Sequence, residues 1–399
     1  MTLGPPRILD PDVECSPDLW PRQRAALQRL VPDVRSLTDL PFTTKAHLHA
    51  ADPLAAMGVP AHQLVRVHAS SGTSGTRTIS AYTRADLDLW TRVVARGLAA
   101  LGVGPTSVVY STLAHGLFTG GFGFLQAATA LGATVIPGGQ APSRTHADLI
   151  RRLRPSVLFA TPSYAQHLAD RHDDLPTVAL GVFGAEPWSE ADRTRLEHTW
   201  GMVARDTYGL SEVIGPGVAF ECPEANGLHV NADHFIPEII DLHGTPVPDG
   251  TWGELVLTAP TREARPLLRY RTGDRTRLDR TPCPCGRTLP RIARITGRVD
   301  DMVVVRGVNL RPSDVAHALS HHPEPIGHWH LALTRPEALD VLTLVAEVGV
   351  PSPQLTASLA LHLRERLGLR LQVRLHAFGT CDHSGGKASR LHDLRTAQG

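Results

Sequence analysis

Short apolar segments alternate with helix-patterned segments along residues 64–206, and this alternation limits the folds open to the chain. The apolar segments predict strands at residues 64–67, 78–82, 107–110, 133–137, 157–160, 178–183 and 202–206. The segments between them predict helices at residues 85–101, 123–131, 146–153, 164–171 and 189–199. Parallel strands need long crossover connections, usually helices, so this pattern is typical of parallel sheets. The sequence therefore predicts an α/β fold with a mainly parallel sheet.

The pattern changes in the second half of the chain. From about residue 210 it is rich in short strands, and from residue 302 a second pattern of strands and helices begins. We place a domain boundary near Gly297–Asp300, giving a large domain over residues 1–299 and a small one over residues 300–399. The sequence predicts mixed sheets, flanking helices and a β-rich subdomain in the first domain, and an α+β fold in the second.

Composition argues against several classes of protein. Lys plus Arg number 40 and Asp plus Glu 39, a formal net charge of +1, which gives no support for a nucleic-acid or membrane-surface partner. No apolar run reaches the ~18 residues of a membrane span, and the first residues lack a signal-peptide pattern. Five cysteines in 399 residues favour a reducing, cytoplasmic location over a disulfide framework. The sequence leaves a homodimer open.

Only two of the 40 basic residues are lysines, Lys45 and Lys387. Arginine replaces lysine on a solvated surface, but not where a compact charge must reach a small target on a thin stem. Lys387 lies in a Gly-Gly segment, Ser384–Ala388, close to the end of the sequence, and loops often carry function. We interpret Lys387 as a candidate catalytic residue, with chance survival in an arginine-rich composition as the alternative.

A loop rich in hydroxyl groups spans residues 68–78. It contains Ser70, Ser71, Gly72, Thr73, Ser74, Gly75 and Thr76. Backbone N–H groups and small hydroxyl side chains suit a phosphate chain. The loop lacks the lysine of a Walker loop and the G-x-G-x-x-G of a kinase loop, and a strand follows it. The sequence predicts a phosphate-binding loop of another kind, with a polar hairpin turn as the alternative.

Seven segments in order resemble the motifs of adenylate-forming ligases, most closely the phenylacetate–coenzyme A ligase branch. They are the phosphate loop and residues 116–121, 183–188, 206–212, 270–274, 297–301 and 306–309. Lys387 falls where that family has its catalytic lysine, and the resemblance covers about residues 36–399. It implies an enzyme that converts ATP and an aromatic carboxylic acid into an acyl-adenylate and then passes the acyl group to a thiol.

The resemblance also implies roles for individual residues. Attack on the α-phosphate concentrates negative charge, which requires a metal and fixed donors. Glu212 is expected to hold Mg²⁺, Ser211 to donate to the α-phosphate, and Lys387 to bridge the carboxylate and that phosphate. The other residues expected to bind ATP or AMP, besides the phosphate loop, are Glu186, Asp206, Thr207, Tyr208, Asp274 and Arg298.

Family members exchange catalytic groups by rotating the small domain. The hinge is expected at Asp300, and a mobile small domain would carry Lys387 away before the thiol enters. The residues expected on the thiol side are Gly307, Val308 and Asn309.

The acid pocket is expected to be lined by His115, Phe118, Thr119, Gly184 and Gly209. Small residues leave room for a flat ring against Phe118, and His115 can bond a polar ring substituent. We therefore expect a hydroxy- or amino-substituted aryl acid, used in a specialised pathway.

Three thiols and an imidazole occur in two short clusters, Cys222 with His229 and Cys283 with Cys285. Three cysteines and one histidine make a closed tetrahedral set, so the sequence predicts a structural Zn²⁺ site remote from the chemistry. Free buried cysteines are the alternative.

Other interpretations stay open. The phosphate loop lacks a lysine that the family carries near Thr76, and Arg77 is the candidate to supply that charge. The acceptor is coenzyme A or a carrier-protein phosphopantetheine, or else a non-thiol nucleophile such as an amine or nitrite. A nucleotide-binding pseudo-enzyme and a zinc-ribbon nucleic-acid binder are the alternatives from other classes; retention of Glu212, Asp274 and Lys387 speaks against the first and the net charge against the second.

Overall fold

A computed structural model gives the fold. It describes residues 5–49, 52–70, 77–117, 119–299, 303–305, 308–334, 336, 340–380 and 390–394. Two short helices open this part of the chain, α1 (Pro11–Glu14) and α2 (Trp20–Gln28). An antiparallel pair follows, β1 (Arg66–Ala69) and β2 (Ile79–Tyr82), so strand β1 begins later than residues 64–67 predict and runs into the phosphate loop.

The alternating region forms the parallel part of a nine-stranded sheet, which confirms the predicted α/β fold. Its elements are α3 (Arg84–Ala100), β3 (Val108–Ser111), α4 (Thr119–Ala130), β4 (Thr134–Pro137), α5 (Ser143–Leu153), β5 (Val157–Ala160), α6 (Pro162–Arg171), β6 (Leu180–Phe183), α7 (Glu190–Trp200) and β7 (Val203–Leu210). Strands β4, β3, β5, β6 and β7 pair in parallel in that spatial order. Every residue of β5 and β6 is buried, as expected for strands covered on both faces.

The region after residue 210 is rich in strands, as predicted. Its elements are β8 (Gly215–Glu221), β9 (Leu228–Val230), β10 (Ile236–Ile240), β11 (Gly253–Ala259), β12 (Leu267–Thr276), β13 (Leu278–Asp279) and β14 (Arg291–Ile292). Strands β8, β9, β14 and β13 extend the large sheet in antiparallel fashion beyond β7. Strands β10, β11 and β12 form a separate antiparallel sheet.

Helix α3 anchors the large sheet. Thr83 and Asp86 form a capping box at its start, and the indole of Trp90 donates to the carbonyl of Pro216 in β8 at 2.9 Å. Gly97 allows close contact, because a Cβ there would lie 2.9 Å from the ring of Phe220. The helix thus holds β8, and with it β7, which carries residues 206–210 of the nucleotide motif.

The C-terminal part has its own hydrophobic core between Val303 and Leu371. Its elements are β15 (Val303–Val305), β16 (Val308–Leu310), α8 (Pro312–Leu319), β17 (Trp329–Thr334), β18 (Val341–Val348), α9 (Pro353–Leu367), β19 (Gln372–Ala377) and β20 (Leu391–Asp393). The sheet order is β19-β18-β17-β20, and α8 packs on α9. This is the expected α+β fold; the boundary between residues 299 and 300 stays a prediction. Among the described residues, no helix is long and apolar enough to cross a membrane.

Candidate active site

A cavity of about 50 Å³ lies at the carboxyl ends of the parallel strands, where α/β sheets usually bind ligands. Its walls combine small residues with three larger apolar side chains. They are Leu113, Thr119, Gly120, Phe124, Ala160, Gly184, Ala185, Thr207, Gly209, Leu210, Ser211, Gly215 and Pro216. Three of the five residues predicted for the acid pocket, Thr119, Gly184 and Gly209, line it.

Two glycines shape this cavity through backbone contacts. A Cβ on Gly209 would lie 2.0 Å from the carbonyl oxygen of Gly215, at the bulge between β7 and β8. A Cβ on Gly184 would lie 2.6 Å from the carbonyl oxygen of Thr207. Neither position accepts a side chain without a backbone shift, so the close approach of the strands requires glycine.

His115 does not appear among the described residues of the cavity wall. Its ring meets Phe122 edge-on at 5.8 Å, and burial lowers the pKa of its imidazole. Its Nε2 has no hydrogen-bond partner in the part of the chain that the structure describes. Contact between His115 and the acid therefore stays a prediction.

Ser211 and Thr119 form the polar wall of the cavity. Their hydroxyl oxygens are 3.0 Å apart, and the carbonyl of Ser211 accepts a hydrogen bond from the hydroxyl of Ser80 at 2.5 Å. Ser80 lies on β2, directly after the phosphate loop. Ser70, the one residue of the predicted loop set that is described, accepts a hydrogen bond from the backbone N–H of Thr78 at 2.9 Å. Strand β2 therefore brings the base of the loop to the end of β7.

Tyr208, Asp274 and Arg298 form a connected group beside β7. The hydroxyl of Tyr208 donates to Asp274 Oδ2 at 2.6 Å, and Arg298 Nη1 lies 3.4 Å from Asp274 Oδ1. Burial, followed by the charge of Asp274, raises the pKa of Tyr208 well above its usual range. The structure thus brings together three residues predicted to bind nucleotide, although 66 positions separate the tyrosine from the aspartate.

Glu186 and Asp206 contact other groups of the protein. Glu186 Oε1 accepts a hydrogen bond from the backbone N–H of Ser163 at 2.6 Å. Asp206 lies 3.4 Å from Arg294, and its backbone N–H donates to Glu221 at 2.7 Å. Burial, then the charge of Glu221, raises the pKa of Asp206 to about 7. Neither carboxylate lines the cavity among the described residues, so their nucleotide contacts stay predictions.

Lys45 lies beside a predicted site residue, and the sequence interpretation did not include it among the site residues. Its Nζ lies 3.7 Å from Oε1 of Glu212, the residue expected to hold Mg²⁺. Backbone hydrogen bonds of Thr43 to Arg269 and Arg271, at 3.1 and 2.9 Å, clamp this segment onto β12. A signal was present, because Lys45 is one of only two lysines in the chain.

Several predicted site residues lie outside the described part of the chain. They are Ser71, Gly72, Thr73, Ser74, Gly75, Thr76, Phe118, Asp300, Gly307 and Lys387. Val308 and Asn309 lie in β16, but only their backbone is described. The roles given to all of these residues stay predictions.

The structure brings the four predicted zinc ligands together. The ligand atoms of Cys222, His229, Cys283 and Cys285 all lie within 4.8 Å of one another. Cys222 Sγ is 3.8 Å from Cys283 Sγ, and Cys285 Sγ is 3.4 Å from His229 Nε2. His229 Nδ1 lies 3.2 Å from the carbonyl of Leu289, which suits an N–H at that atom and leaves Nε2 for a metal.

Family comparisons agree with this geometry. A model described as AMP-binding enzyme matches residues 33–262, and a model described as AMP-binding enzyme C-terminal domain matches residues 307–395. Phenylacetate-coenzyme A ligase from Thermus thermophilus is 42% identical over 394 residues, covering 90% of this chain and 88% of the relative. The Escherichia coli enzyme of that name is 42% identical over 388 residues, covering 92% and 88%.

The chain belongs to the adenylate-forming enzymes, in their phenylacetate–coenzyme A ligase branch.

Two solved structures of one adenylate-forming ligase superpose on nearly the whole of this chain. A 2-hydroxyisobutyryl-CoA ligase in the postadenylation state, with its acyl-adenylate, is 27% identical and superposes with a TM-score of 0.82, covering 96% of this chain and 88% of that one. The same ligase in the thioesterification state, 25% identical and covering 97% and 92%, gives 0.67. The chain therefore superposes more closely on the postadenylation-state structure than on the thioesterification-state structure of that ligase.

Proposed function

We propose that this enzyme activates an aromatic carboxylic acid with ATP as an acyl-adenylate and transfers the acyl group to the thiol of coenzyme A. The observation that carries the proposal is the hydrogen-bonded group of Tyr208, Asp274 and Arg298 at the end of β7, where Ser211 and Glu212 follow directly in the chain. The relatives at about 40% identity, named phenylacetate-coenzyme A ligases, support the substrate class and the acceptor.

In this proposal each polar group has a separate task. Asp274 accepts hydrogen bonds from the ribose hydroxyls, held in place by Tyr208 and Arg298. Ser211 donates to the α-phosphate, on which negative charge grows as the carboxylate attacks. Lys387 bridges the acid and the α-phosphate, so its ammonium group stabilises the same charge. The phosphate loop holds the leaving pyrophosphate with backbone N–H groups.

Glu212 fits the role of the Mg²⁺ ligand. Its carboxylate is 11% exposed and has a cation, Lys45, at 3.7 Å, so the site already balances a negative charge that is largely removed from water. Bound Mg²⁺ would neutralise phosphate charge there. Lys45 supplies a second positive charge that does not depend on the lysine missing from the phosphate loop.

We further propose that the small domain then turns about Asp300. Lys387 leaves, and the segment Gly307–Asn309 takes part in admitting the thiol. The thiolate attacks the acyl carbon, the acyl–phosphate bond breaks, and AMP departs with the electron pair. Adenylate formation and acyl transfer thus need different groups from the same domain.

We propose that Cys222, His229, Cys283 and Cys285 hold a structural Zn²⁺. Three thiolates and one imidazole make a closed tetrahedral set, with no position left for substrate. The site ties β8 and β9 to the segment before β14, and Arg287 of that segment pairs with Glu14 of α1 at 2.6 Å. The metal would therefore brace the N-terminal helix against the large sheet.

A pyrophosphate-release screen tests the proposed function. The acids are phenylacetate, hydroxy- and amino-substituted aryl acids and 2-hydroxyisobutyrate, each with and without coenzyme A. The small hydroxy acid is included because the cavity, about 50 Å³, is well below the ~150 Å³ of a cavity that binds benzene. We expect acid-dependent release with aryl acids and a thioester only with coenzyme A. Preference for the small acid would refute the aromatic class, and release independent of acid would refute acid activation.

A further inference from the structure

The turn that follows β19 contacts the large domain directly. The ring of Phe378 lies 4.9 Å from the guanidinium carbon of Arg195 on α7, and the carbonyl of Gly379 accepts a hydrogen bond from Arg171 at the end of α6. Thr380 closes the turn by donating from its hydroxyl to the carbonyl of Ala377 at 2.7 Å. The contact therefore joins two helices of one domain to a single turn of the other.

Both partners of the ring contact are fixed in their own domains. Arg195 Nη2 donates to both carboxylate oxygens of Asp170, at 3.2 and 3.1 Å, which holds the arginine side chain against α6. Phe378 packs over two glycines: a Cβ on Gly327 would lie 2.6 Å from its ring, and one on Gly349 would lie 3.8 Å away. A pre-oriented cation facing a pre-oriented ring loses little entropy when the two domains meet.

The turn directly precedes the segment of the chain that contains Lys387. Residues 381–389, which include Lys387, begin directly after Thr380. Arg390, at the far end of that segment, donates to the carbonyl of Trp329 at 2.5 Å and lies 4.6 Å from the Trp329 ring. Burial lowers the pKa of Arg390, and the carboxylates of Glu186 and Asp192 partly offset this effect, so this end also faces the large domain.

We propose that Arg195 and Arg171 dock the turn Phe378–Thr380 and thereby position Lys387 for adenylate formation. The docking is made in the domain arrangement that resembles the postadenylation state and is broken when the small domain turns for acyl transfer. The proposal rests on the proposed function, in which Lys387 acts in the first half-reaction only. Arg195, Arg171 and Phe378 are positioning residues, since none of them lines the described cavity.

The two half-reactions separate this role from a general loss of structure. Acid-dependent ATP–pyrophosphate exchange measures the first, and thioester formation from a supplied acyl-adenylate measures the second. For Arg195→Ala we expect kcat of the exchange to fall roughly tenfold, with the KM of ATP and of the acid changed by less than about twofold. The second half-reaction stays at the wild-type rate. Arg152→Ala, which removes an arginine with 72% of its side chain exposed on α5, is the matched control and leaves both rates unchanged.

Substitutions of the ring test the contact itself. Phe378→Trp keeps an aromatic face for Arg195 and should retain the exchange rate, whereas Phe378→Leu should lose as much as Arg195→Ala. The double variant should be no slower than either single variant, because both remove one interaction. Equal loss in both half-reactions, or additive losses in the double variant, would overturn the proposal.

Small-angle X-ray scattering measures the docking of the two domains in the absence of catalysis. The radius of gyration should rise in Arg195→Ala and Phe378→Leu but not in Arg152→Ala. An unchanged radius together with an unchanged exchange rate would overturn the docking. Failure of the proposed function would appear differently, as a wild-type enzyme that exchanges pyrophosphate with none of the acids.

Discussion

Replacing Lys45 by methionine keeps the length of the side chain and removes its charge. The Nζ–Oε1 distance of 3.7 Å to Glu212 corresponds to a gross attraction of about 4.5 kcal/mol at an effective dielectric constant near 20. The Lys45 side chain is 41% exposed, so water and salt screen most of this attraction. We therefore expect Lys45→Met to change the free energy of unfolding by less than about 1 kcal/mol.

The expected effect on the reaction is larger. A charge-assisted contact to a phosphate is worth about 1.5–3 kcal/mol, so its loss should lower kcat/KM for ATP about 10- to 100-fold. Lys45→Arg keeps the charge but widens the head group and should recover only part of this loss. The assay is acid-dependent pyrophosphate exchange, with urea unfolding measured in parallel. Arg24→Met, at an exposed position on α2, is the control for loss of one positive charge.

Pyrophosphate exchange and urea unfolding together can refute a catalytic role of Lys45. If Lys45→Met lowers the free energy of unfolding by more than about 2 kcal/mol and leaves kcat/KM for ATP unchanged, then Lys45 is a structural partner of Glu212. A loss of activity shared by Arg24→Met would show that net charge matters and that the position of Lys45 does not.

Four further predictions follow from other parts of the molecule. Elemental analysis should find about one zinc per chain, and Cys283→Ser should lower the melting temperature far more than kcat, because structural metals couple to folding. Gly209→Ala should abolish adenylate formation, since its Cβ would lie 2.0 Å from the carbonyl of Gly215, and activity close to wild type would show that the bulge can open. Burial raises the pKa of Asp206 to about 7, so between about pH 4 and 7 the folded state binds more protons than the unfolded state. The free energy of unfolding should therefore fall as pH rises through that window. In Asp206→Asn, urea unfolding at pH 5 and pH 7.5 should show a smaller dependence of this free energy on pH. Lys387→Ala should abolish adenylate formation and spare acyl transfer from a supplied acyl-adenylate, and equal loss of both would contradict that division.

Periodicity predicted the parallel sheet well because burial on both faces leaves a strong signal in the sequence. Strands β5 and β6 are short apolar runs. The predicted range for β5 matches the observed strand, and the predicted range for β6 contains the observed strand. The predicted strand at residues 202–206 stops too early, since β7 continues to Leu210. Residues 207–210 carry polar and glycine positions, and they stay in the sheet because β8 pairs with them across a bulge. Pairing with a later strand is invisible to local periodicity.

Side-chain direction was the part of the site that the sequence did not determine. Motif order assigns Tyr208 and Asp274 to one site, and in the structure the hydroxyl of Tyr208 donates a hydrogen bond to Asp274. The same reasoning assigns Glu186 to the nucleotide, which stays a prediction; in the structure its Oε1 accepts a hydrogen bond from the backbone N–H of Ser163. A motif fixes where the backbone passes, but the choice of hydrogen-bond partner depends on helices that are distant in sequence.

The use of arginine explains why the two lysines stand out. Arginine is adequate on a solvated surface, yet in this protein several arginines are buried and make two or more hydrogen bonds. Arg262 donates to Asp86 and to two backbone carbonyls, and Arg193 donates to both carboxylate oxygens of Glu221. A planar guanidinium suits such sites because several N–H groups are satisfied at once. A phosphate oxygen reached through a narrow gap requires the opposite, a compact charge on a thin stem. We propose that Lys45, which lies beside Glu212, and Lys387 both serve this role, which gives a physical reason for two lysines in a chain that otherwise uses arginine.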